Sequence, residues 1–194
     1  MKQRLASPSD VIDLAHIADM KGVKVSGKTV TIGAATTHAE VAADAKLQNA
    51  CPALASLASH IGDPHVRHRG TIGGSISNND PAADYPSAML ALDATIITDK
   101  RAIPASKFFK GLFETTLKDG EIVKGVSFTA PTKAAYSKFP NPASLYAMAG
   151  VFVAKQKDGV RVAVTGAGED GVFRHKGLEG ALSKKFDASS LDGV

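Results

Sequence analysis

The segment of residues 61–84, IGDPHVRHRGTIGGSISNNDPAAD, limits the fold and function of this chain more than any other segment. It places basic and titratable side chains just before Gly73 and Gly74, and it continues with serines, asparagines and two acids. Glycines let a backbone approach a ligand and point N–H groups at anionic oxygens, and a carboxylate can accept from a ribose hydroxyl. The pattern indicates a dinucleotide phosphate site. It is not the Rossmann fingerprint, because G-x-G-x-x-G is absent, and a bare glycine pair also fits a structural turn.

The composition limits the class of protein. The 194 residues are 44% hydrophobic and 22% charged, which is typical of a globular protein with one or two small domains. The net charge of +4 comes from scattered lysines, so we expect no nucleic-acid partner. The single cysteine, Cys51, excludes an internal disulfide and an iron–sulfur ligand set, and it fits a reducing cytoplasm. No apolar run is long enough to span a bilayer, so we expect a cytoplasmic protein without a membrane span.

Local patterns predict mixed helices and antiparallel hairpins. Residues 23–25 and 29–32 flank a turn with Gly27, which predicts a hairpin. The Thr37-x-x-Glu40 capping box predicts a helix over residues 38–46, and Pro52 begins the next helix. Further helices are expected near residues 7–17, where a turn is the alternative, from the cap at Asp84 up to residue 92, and over residues 178–186. Strands are expected over residues 94–98, 122–128, 145–154 and 160–164 and at Ile103. Because regular βαβ alternation is absent, the fold class is α+β.

Several polar residues in the first segment allow more than one interpretation. His65 and His68 have the spacing of metal ligands, but they lie in a predicted loop without a further ligand, so we predict no metal site. Arg67 and Arg69 share a face of an extended segment, and either phosphate binding or pairing with surface carboxylates fits them. No nucleophile–base pair and no G-x-S-x-G elbow stands out. We therefore predict no catalytic side chain, and any chemistry belongs to a bound cofactor.

In combination, the motifs resemble the flavoprotein (medium) subunits of molybdenum hydroxylases of the carbon monoxide dehydrogenase type, whose FAD domain is similar to that of xanthine dehydrogenase. The family pattern Ile-Gly, Val-Arg-x-x-Gly-Thr-Ile-Gly-Gly-x and Asp-Pro-Ala-x-Asp-x-Pro is present over residues 61–62, 66–75 and 80–86. Further similar elements lie at residues 31–40, 108–111, 115–123, 136–139 and 164–167. The resemblance implies an FAD-binding domain of the vanillyl-alcohol-oxidase (PCMH) type over residues 1–130 and a small C-terminal α+β domain over residues 131–194.

The resemblance also implies which residues bind the cofactor. The segment around Gly73 and Gly74 is similar to the part of the family that contacts the FAD pyrophosphate, and Asp84 is a further contact. Ile61 resembles a position near the flavin ring, although a core residue fits it nearly as well. Val123 and Lys138 resemble positions that contact the flavin. Lys138 would place a cation near flavin N1–C2 that stabilises the anionic reduced form, and its alternative is an exposed lysine. The predicted cofactor-binding residues are Ile61, Thr71, Ile72, Gly73, Gly74, Ser75, Asp84, Val123 and Lys138.

The implied function is electron transfer by FAD, from a 2Fe-2S small subunit to an external acceptor, in a complex with a molybdenum-pterin large subunit. A nucleotide- or phosphate-binding module without catalysis, and a scaffold subunit without flavin, are the alternatives. The family's first FAD loop, Ala-Gly-Gly-x-x-Leu, would lie upstream of Lys2, so the first subdomain is expected to be largely missing. A last helix after Val194 is also expected to be missing. Because one of the family's two pyrophosphate-contacting loops would be missing, we predict that FAD is bound weakly or is absent.

Overall fold

An antiparallel five-stranded sheet is the main sheet of the first part of the chain. The computed structural model describes residues 8–194. The strands are β1 (Val23–Ser26), β2 (Thr29–Gly33), β3 (Thr95–Thr98), β4 (Ala102–Pro104), β5 (Phe109–Gly111), β6 (Glu114–Thr115) and β7 (Val123–Thr129). The sheet has the order β1-β2-β7-β3-β4, and β5 and β6 form a separate hairpin. The predicted hairpin and the predicted strands in this region are confirmed, because their alternating apolar residues, such as Val30 and Ile32, face the core.

Short helices lie between the strands of this first part of the chain, the first six between β2 and β3 and the last between β4 and β5. They are α1 (His38–Ala43), α2 (Ala45–Ala50), α3 (Pro52–Ser59), α4 (Pro64–Arg69), α5 (Ile72–Asn78), α6 (Tyr85–Ala91) and α7 (Ala105–Phe108). The capping box of Thr37 and Glu40 is confirmed at the start of α1. A single helix over residues 38–46 is wrong, because Asp44 is extended there and its side chain caps α2 by accepting from the Leu47 N–H. The helix that begins at Pro52 is confirmed.

The predicted loop between Ile61 and the glycine pair is wrong. His65 and His68 lie in α4, which Asp63 caps by accepting from the Val66 N–H at 2.9 Å. In a helix, side chains two residues apart along the chain point to different sides. Arg67 and Arg69 therefore do not share a face, as they would in the extended segment that was predicted. Asp84 does precede α6, but its side chain makes no capping hydrogen bond. In the described part of residues 7–17 no helix forms, Ser7 lies outside that part, and a 3₁₀ turn follows at Ala18–Met20.

A four-stranded antiparallel sheet forms the last part of the chain. Its strands are β8 (Lys133–Pro140), β9 (Ala147–Gln156), β10 (Gly159–Thr165) and β11 (Phe173–Arg174), and the order is β11-β10-β9-β8. The predicted hairpin around Gly159 is confirmed, and the last helix, α8 (Lys176–Lys184), begins two residues earlier than predicted. The first sheet ends at residue 129 and the second begins at residue 133. The two sheets nevertheless share one hydrophobic core, because Phe152 and Ala154 belong to the same cluster as Val126. The division into two domains stays a prediction.

Three observations on the described residues concern the single cysteine, membrane-spanning helices and metal-binding groups. Cys51 is fully buried, and its burial raises the pKa of the thiol to about 11. Over residues 8–194 no helix has both the length and the apolar composition to cross a bilayer. The same residues contain no group of three or more His, Cys, Asp or Glu side chains arranged to hold a metal ion.

Candidate functional site

The glycine pair lies in the first turn of α5 rather than in an open loop. Thr71 is the N-cap, and an antiparallel bridge joins it to Thr37. We expected the glycine N–H groups to point at a ligand, but each N–H from residue 72 to residue 75 has an acceptor within the protein. Ile72 donates to the Thr36 carbonyl at 3.1 Å, Gly73 to the Ala34 carbonyl at 2.9 Å, Gly74 to Thr71 Oγ1 at 3.1 Å and Ser75 to the Thr71 carbonyl at 3.0 Å. Side chains must therefore supply most donors to a ligand here.

The two glycines have different surroundings. A Cβ atom on Gly73 would overlap the Ala34 side chain and lie 2.7 Å from the Ala34 carbonyl oxygen, so this glycine lets α5 pack closely on the end of β2. A Cβ atom on Gly74 would meet only Thr71 Oγ1 within 4 Å, at 3.1 Å. Neither glycine has a positive φ. Gly73 is therefore required for packing, and Gly74 leaves space on the open side of the helix.

Two cavities meet at Gly74. The Ile61 cavity has a volume of about 520 Å³ and is lined by the segment from Ile61 to Val66, by α5, by Asp84 and by the turn between β8 and β9. The Val123 cavity has a volume of about 690 Å³ and is lined by residues 13–16, the start of α5 and the segment that leads into β7. Arg69, Thr71 and Gly74 line both cavities. A ligand that occupied both would therefore pass over the first turn of α5.

Most of the predicted cofactor-binding residues line one or both cavities. Those on the Ile61 cavity are Ile61, Thr71, Gly74, Ser75 and Asp84, and those on the Val123 cavity are Thr71, Gly73, Gly74 and Val123. Ile72 does not line either one, because it points into the hydrophobic core and is fully buried. Lys138 also lies outside both linings, but it contacts Asp84. The sequence pattern thus brings most of these residues together, while Ile72 is a packing residue.

Asp84 connects the Ile61 cavity to the second sheet. Its carboxylate accepts hydrogen bonds from the Tyr136 hydroxyl and, at 3.0 Å, from Lys138 Nζ, which also donates to the His60 carbonyl. Burial raises the pKa of Asp84, and the donors Tyr136 and Lys138 oppose that rise. Burial and the neighbouring carboxylate raise the pKa of the Tyr136 hydroxyl. The Lys138 side chain is only 6% exposed, so the alternative of an exposed lysine is wrong.

Two residues on the cavity walls were not assigned from the sequence. His38 is buried in the wall of the Ile61 cavity, and its Nδ1 has no hydrogen-bond partner among the described residues. Burial, with a contribution from the positive charge of Arg67, lowers the pKa of His38 to about 4, so its imidazole is neutral at pH 7. Nothing in the sequence near His38 signals this position. The Arg69 side chain lines both cavities and pairs with no carboxylate within residues 8–194.

Arg67 fits neither of its two interpretations. Its guanidinium donates to the carbonyls of Ile61 and Gly62, at 3.2 and 2.8 Å, and so fixes the turn that precedes α4. Arg67 lines neither cavity, so Arg69 is the one of these two arginines that an anionic ligand in the cavities could contact. The adjacency of Arg69 to Gly70 and Thr71 is the one sequence signal that could have separated it from Arg67.

The arrangement suits an elongated ligand with an anionic centre. Apolar side chains, among them Ile61 and Leu145 on one cavity and Met20 and Val123 on the other, can cover planar groups at both ends. Between them lie the Arg69 guanidinium and the Thr71 hydroxyl, which are donors for phosphate oxygens. FAD has this shape and charge distribution, so the residues present fit it.

The comparisons with known proteins agree with this arrangement. Residues 1–131 match the family described as the FAD binding domain in molybdopterin dehydrogenase. Because that match covers more than half of the chain, the chain belongs to this family of FAD-binding domains. The resemblance stated from the motifs is confirmed, and so are the α+β class with its FAD-binding domain and FAD as the cofactor.

Individual relatives are dehydrogenase subunits. The chain is 33% identical to the carbon monoxide dehydrogenase medium chain of Hydrogenophaga pseudoflava, over all of this chain and 72% of the relative. It is 36% identical to the glyceraldehyde dehydrogenase medium chain of Sulfolobus acidocaldarius, over 79% of this chain and 57% of the relative. The solved carbon monoxide dehydrogenase of Hydrogenophaga pseudoflava that lacks the Mo-pyranopterin moiety superposes with a TM-score of 0.88 at 33% identity, covering 98% of this chain and 71% of that one.

Proposed function

We propose that this chain binds FAD across the Ile61 cavity and the Val123 cavity, as the electron-transfer flavoprotein subunit of a molybdenum-containing dehydrogenase. The observation that carries the proposal is the boundary of the two cavities, where Arg69, Thr71 and Gly74 lie together. FAD consists of two ring systems joined through an anionic pyrophosphate. It therefore needs two neighbouring cavities with donors between them, rather than one deep cavity.

The flavin end belongs in the Ile61 cavity. Ile61 resembles the family position near the flavin ring, and Asp84, which holds the ammonium group of Lys138, lies on the same cavity. The resemblance implied a flavin contact for Val123, but Val123 lies on the other cavity, so in this proposal it contacts the adenylate end of the cofactor. The apolar side chains of Met20 and Leu117, which line the cavity with Val123, suit an adenine ring.

When it is bound, FAD supplies one-electron and two-electron redox chemistry, and the protein supplies binding and orientation. The side chains of Ile61 and Leu145 cover the flavin end and exclude water from it. Thr71 and Ser75 carry hydroxyls that can donate to phosphate oxygens, and Arg69 supplies positive charge. The buried pair of Asp84 and Lys138 fixes the charge distribution beside the cavity.

The proposed partners are a molybdenum-pterin large subunit and a 2Fe-2S small subunit, with electrons passing from the latter to an external acceptor. The names of the relatives, each a medium chain, support a complex of several subunits. A further support is the group of apolar side chains near the turn between β8 and β9, where Phe139 is 67% exposed, Tyr146 52% and Met148 51%. Exposed apolar side chains that lie together mark docking surfaces.

Flavin binding by the purified chain tests the proposal. We expect a titration of FAD to saturate at one site per chain, with quenched flavin fluorescence, and the dissociation constant from the titration tests the weak binding predicted from the sequence. A chain that is folded by circular dichroism but does not bind FAD at any concentration tested would contradict the proposal.

Arg69→Gln should weaken FAD binding by about tenfold, since a charge-assisted hydrogen bond contributes about 1.5–3 kcal/mol and salt screens part of it. The affinity for riboflavin, which has no phosphate, should not change. The measurement is a titration of both ligands at low and high salt, with Lys157→Gln, which lies in the exposed turn between β9 and β10, as the control. Equal losses for FAD and riboflavin would show that Arg69 does not contact the pyrophosphate.

A further inference from the structure

A buried carboxylate holds the segment that forms one wall of the Val123 cavity. Glu121 Oε1 accepts from Thr98 Oγ1 at 2.8 Å and from Arg101 Nε at 2.9 Å, and Oε2 accepts from Arg101 Nη2 at 2.9 Å and from the Lys118 N–H at 3.0 Å. The Glu121 side chain is 0% exposed. Its oxygens are therefore fully used within the protein, and the carboxylate itself is not available to a ligand.

Further bonds join the same segment to the turn between β3 and β4. The Arg101 guanidinium also donates to the Thr116 carbonyl at 2.7 Å. The Ile122 N–H donates to Asp99 Oδ1 at 2.9 Å, and the Asp99 N–H donates to the Ile122 carbonyl at 3.0 Å. We call the group of Thr98, Arg101 and Glu121 with these bonds the Glu121 clamp. It fixes residues 116–122, from which Leu117 and Ile122 line the Val123 cavity.

We propose that the Glu121 clamp is a positioning device that makes this chain select the dinucleotide FAD over the mononucleotide FMN. The inference rests on the proposed function, in which the Val123 cavity receives the adenylate half of FAD. Leu117 and Ile122 can cover an adenine ring only if their segment has one conformation. The Glu121 clamp ties this segment to the turn between β3 and β4 on both sides of Gly120, whose φ is +67°. FMN has no adenylate half, so its binding does not depend on this wall.

The ion pair of the Glu121 clamp stays charged over a wide range of pH. The side-chain hydrogen bonds from Arg101, followed by that from the Lys118 N–H, lower the pKa of Glu121 to about 2. Arg101 stays protonated throughout the accessible pH range. The ion pair is therefore intact from mildly acidic to alkaline pH, and the selectivity between the two flavins should not vary with pH in that range.

The test compares Glu121→Gln with a matched variant elsewhere in the chain. Glu179 is also a buried carboxylate, which accepts from Arg174 Nε, Lys176 Nζ and the Val162 N–H, but it lines neither cavity. Glu179→Gln therefore controls for the loss of a buried ion pair as such. Dissociation constants for FAD and for FMN are measured by flavin fluorescence with the wild-type chain, both variants and Arg101→Lys, which keeps the charge but not the fork of donors.

For Glu121→Gln we expect the FAD affinity to fall by about tenfold and the FMN affinity by less than about twofold. Arg101→Lys should show a smaller change of the same kind, and Glu179→Gln should leave the ratio of the two affinities unchanged. Hydrogen exchange of residues 117–123 should slow when FAD is added to the wild-type chain, and FMN should not slow it. Parallel losses for the two flavins, or no loss for either, would overturn the proposal for the clamp.

A wild-type chain that binds neither flavin would instead contradict the proposed function itself, so the two failures are distinguishable. A Glu121→Gln chain that no longer folds would leave Arg101→Lys to decide. If Arg101→Lys is folded and its ratio of affinities equals that of the wild-type chain, the clamp has no part in the selection of FAD.

Discussion

Gly74→Val is expected to lose FAD affinity by about 100-fold or more while the chain keeps its fold. A Cβ atom at this position meets no backbone and only Thr71 Oγ1, so the folded state needs a shift of a few tenths of an ångström at most. The two methyl groups of valine would extend into the boundary of the cavities, where an elongated ligand has to pass. Helix propensity adds no cost, because valine is a better helix former than glycine.

The neighbouring glycine provides the matched control. Gly73→Ala places its Cβ against Ala34, in a packed interface, so it should lower the free energy of unfolding by about 1–3 kcal/mol through overpacking. FAD titrations and urea denaturation of both variants separate the two effects, and Gly74→Ala should be intermediate in affinity. If Gly74→Val bound FAD as tightly as the wild-type chain does, the ligand would not cross the first turn of α5.

The sequence predicted the elements whose signals are local. The hairpin around Gly27 and the strand over residues 122–128 were predicted because apolar alternation and a glycine turn lie within a few residues of each other. The capping box at Thr37 was found for the same reason. The motif of residues 61–84 identified the family, because many specific residues occur there in one order, although no single residue type is specific.

The conformation of the glycine pair could not be predicted in this way. Two glycines and two serines within seven residues have low helix propensity, yet α5 forms. Tertiary contacts decide it: Gly73 packs on Ala34, and the bridge between Thr37 and Thr71 fixes the start of the helix. The same contacts occupy the N–H groups that the sequence had suggested as ligands for phosphate.

Contacts between residues that are distant along the chain could also not be predicted from the sequence. Asp84 has the sequence context of a helix cap, but its acceptor capacity is used by Tyr136 and Lys138, which are 52 and 54 residues away. Ile72 was grouped with the ligand-contacting residues because it lies between them, whereas its side chain points into the core. A one-dimensional motif gives the neighbours of a site along the chain, and the direction of each side chain depends on the fold.

Asp84→Ala is expected to lower the free energy of unfolding by about 3–5 kcal/mol, because it leaves the Lys138 ammonium group buried without a counter-charge and the Tyr136 hydroxyl without its acceptor. Asp84 and Lys138 expose only 4% and 6% of their side chains, so water cannot replace the lost partner without local opening. The pair also joins α6 to β8, so the opening would loosen the packing of the second sheet. Urea denaturation followed by circular dichroism measures the change.

The double variant Asp84→Ala/Lys138→Met distinguishes the buried charge from the loss of packing. Because it removes the uncompensated ammonium group, it should recover more than half of the stability that Asp84→Ala loses. Tyr136→Phe, which removes only the hydroxyl, should cost about 1 kcal/mol. The single variant Lys138→Met completes the cycle. If the double variant were as unstable as the sum of Asp84→Ala and Lys138→Met, the two residues would not be coupled, and the ion pair would have no part in holding α6 against β8.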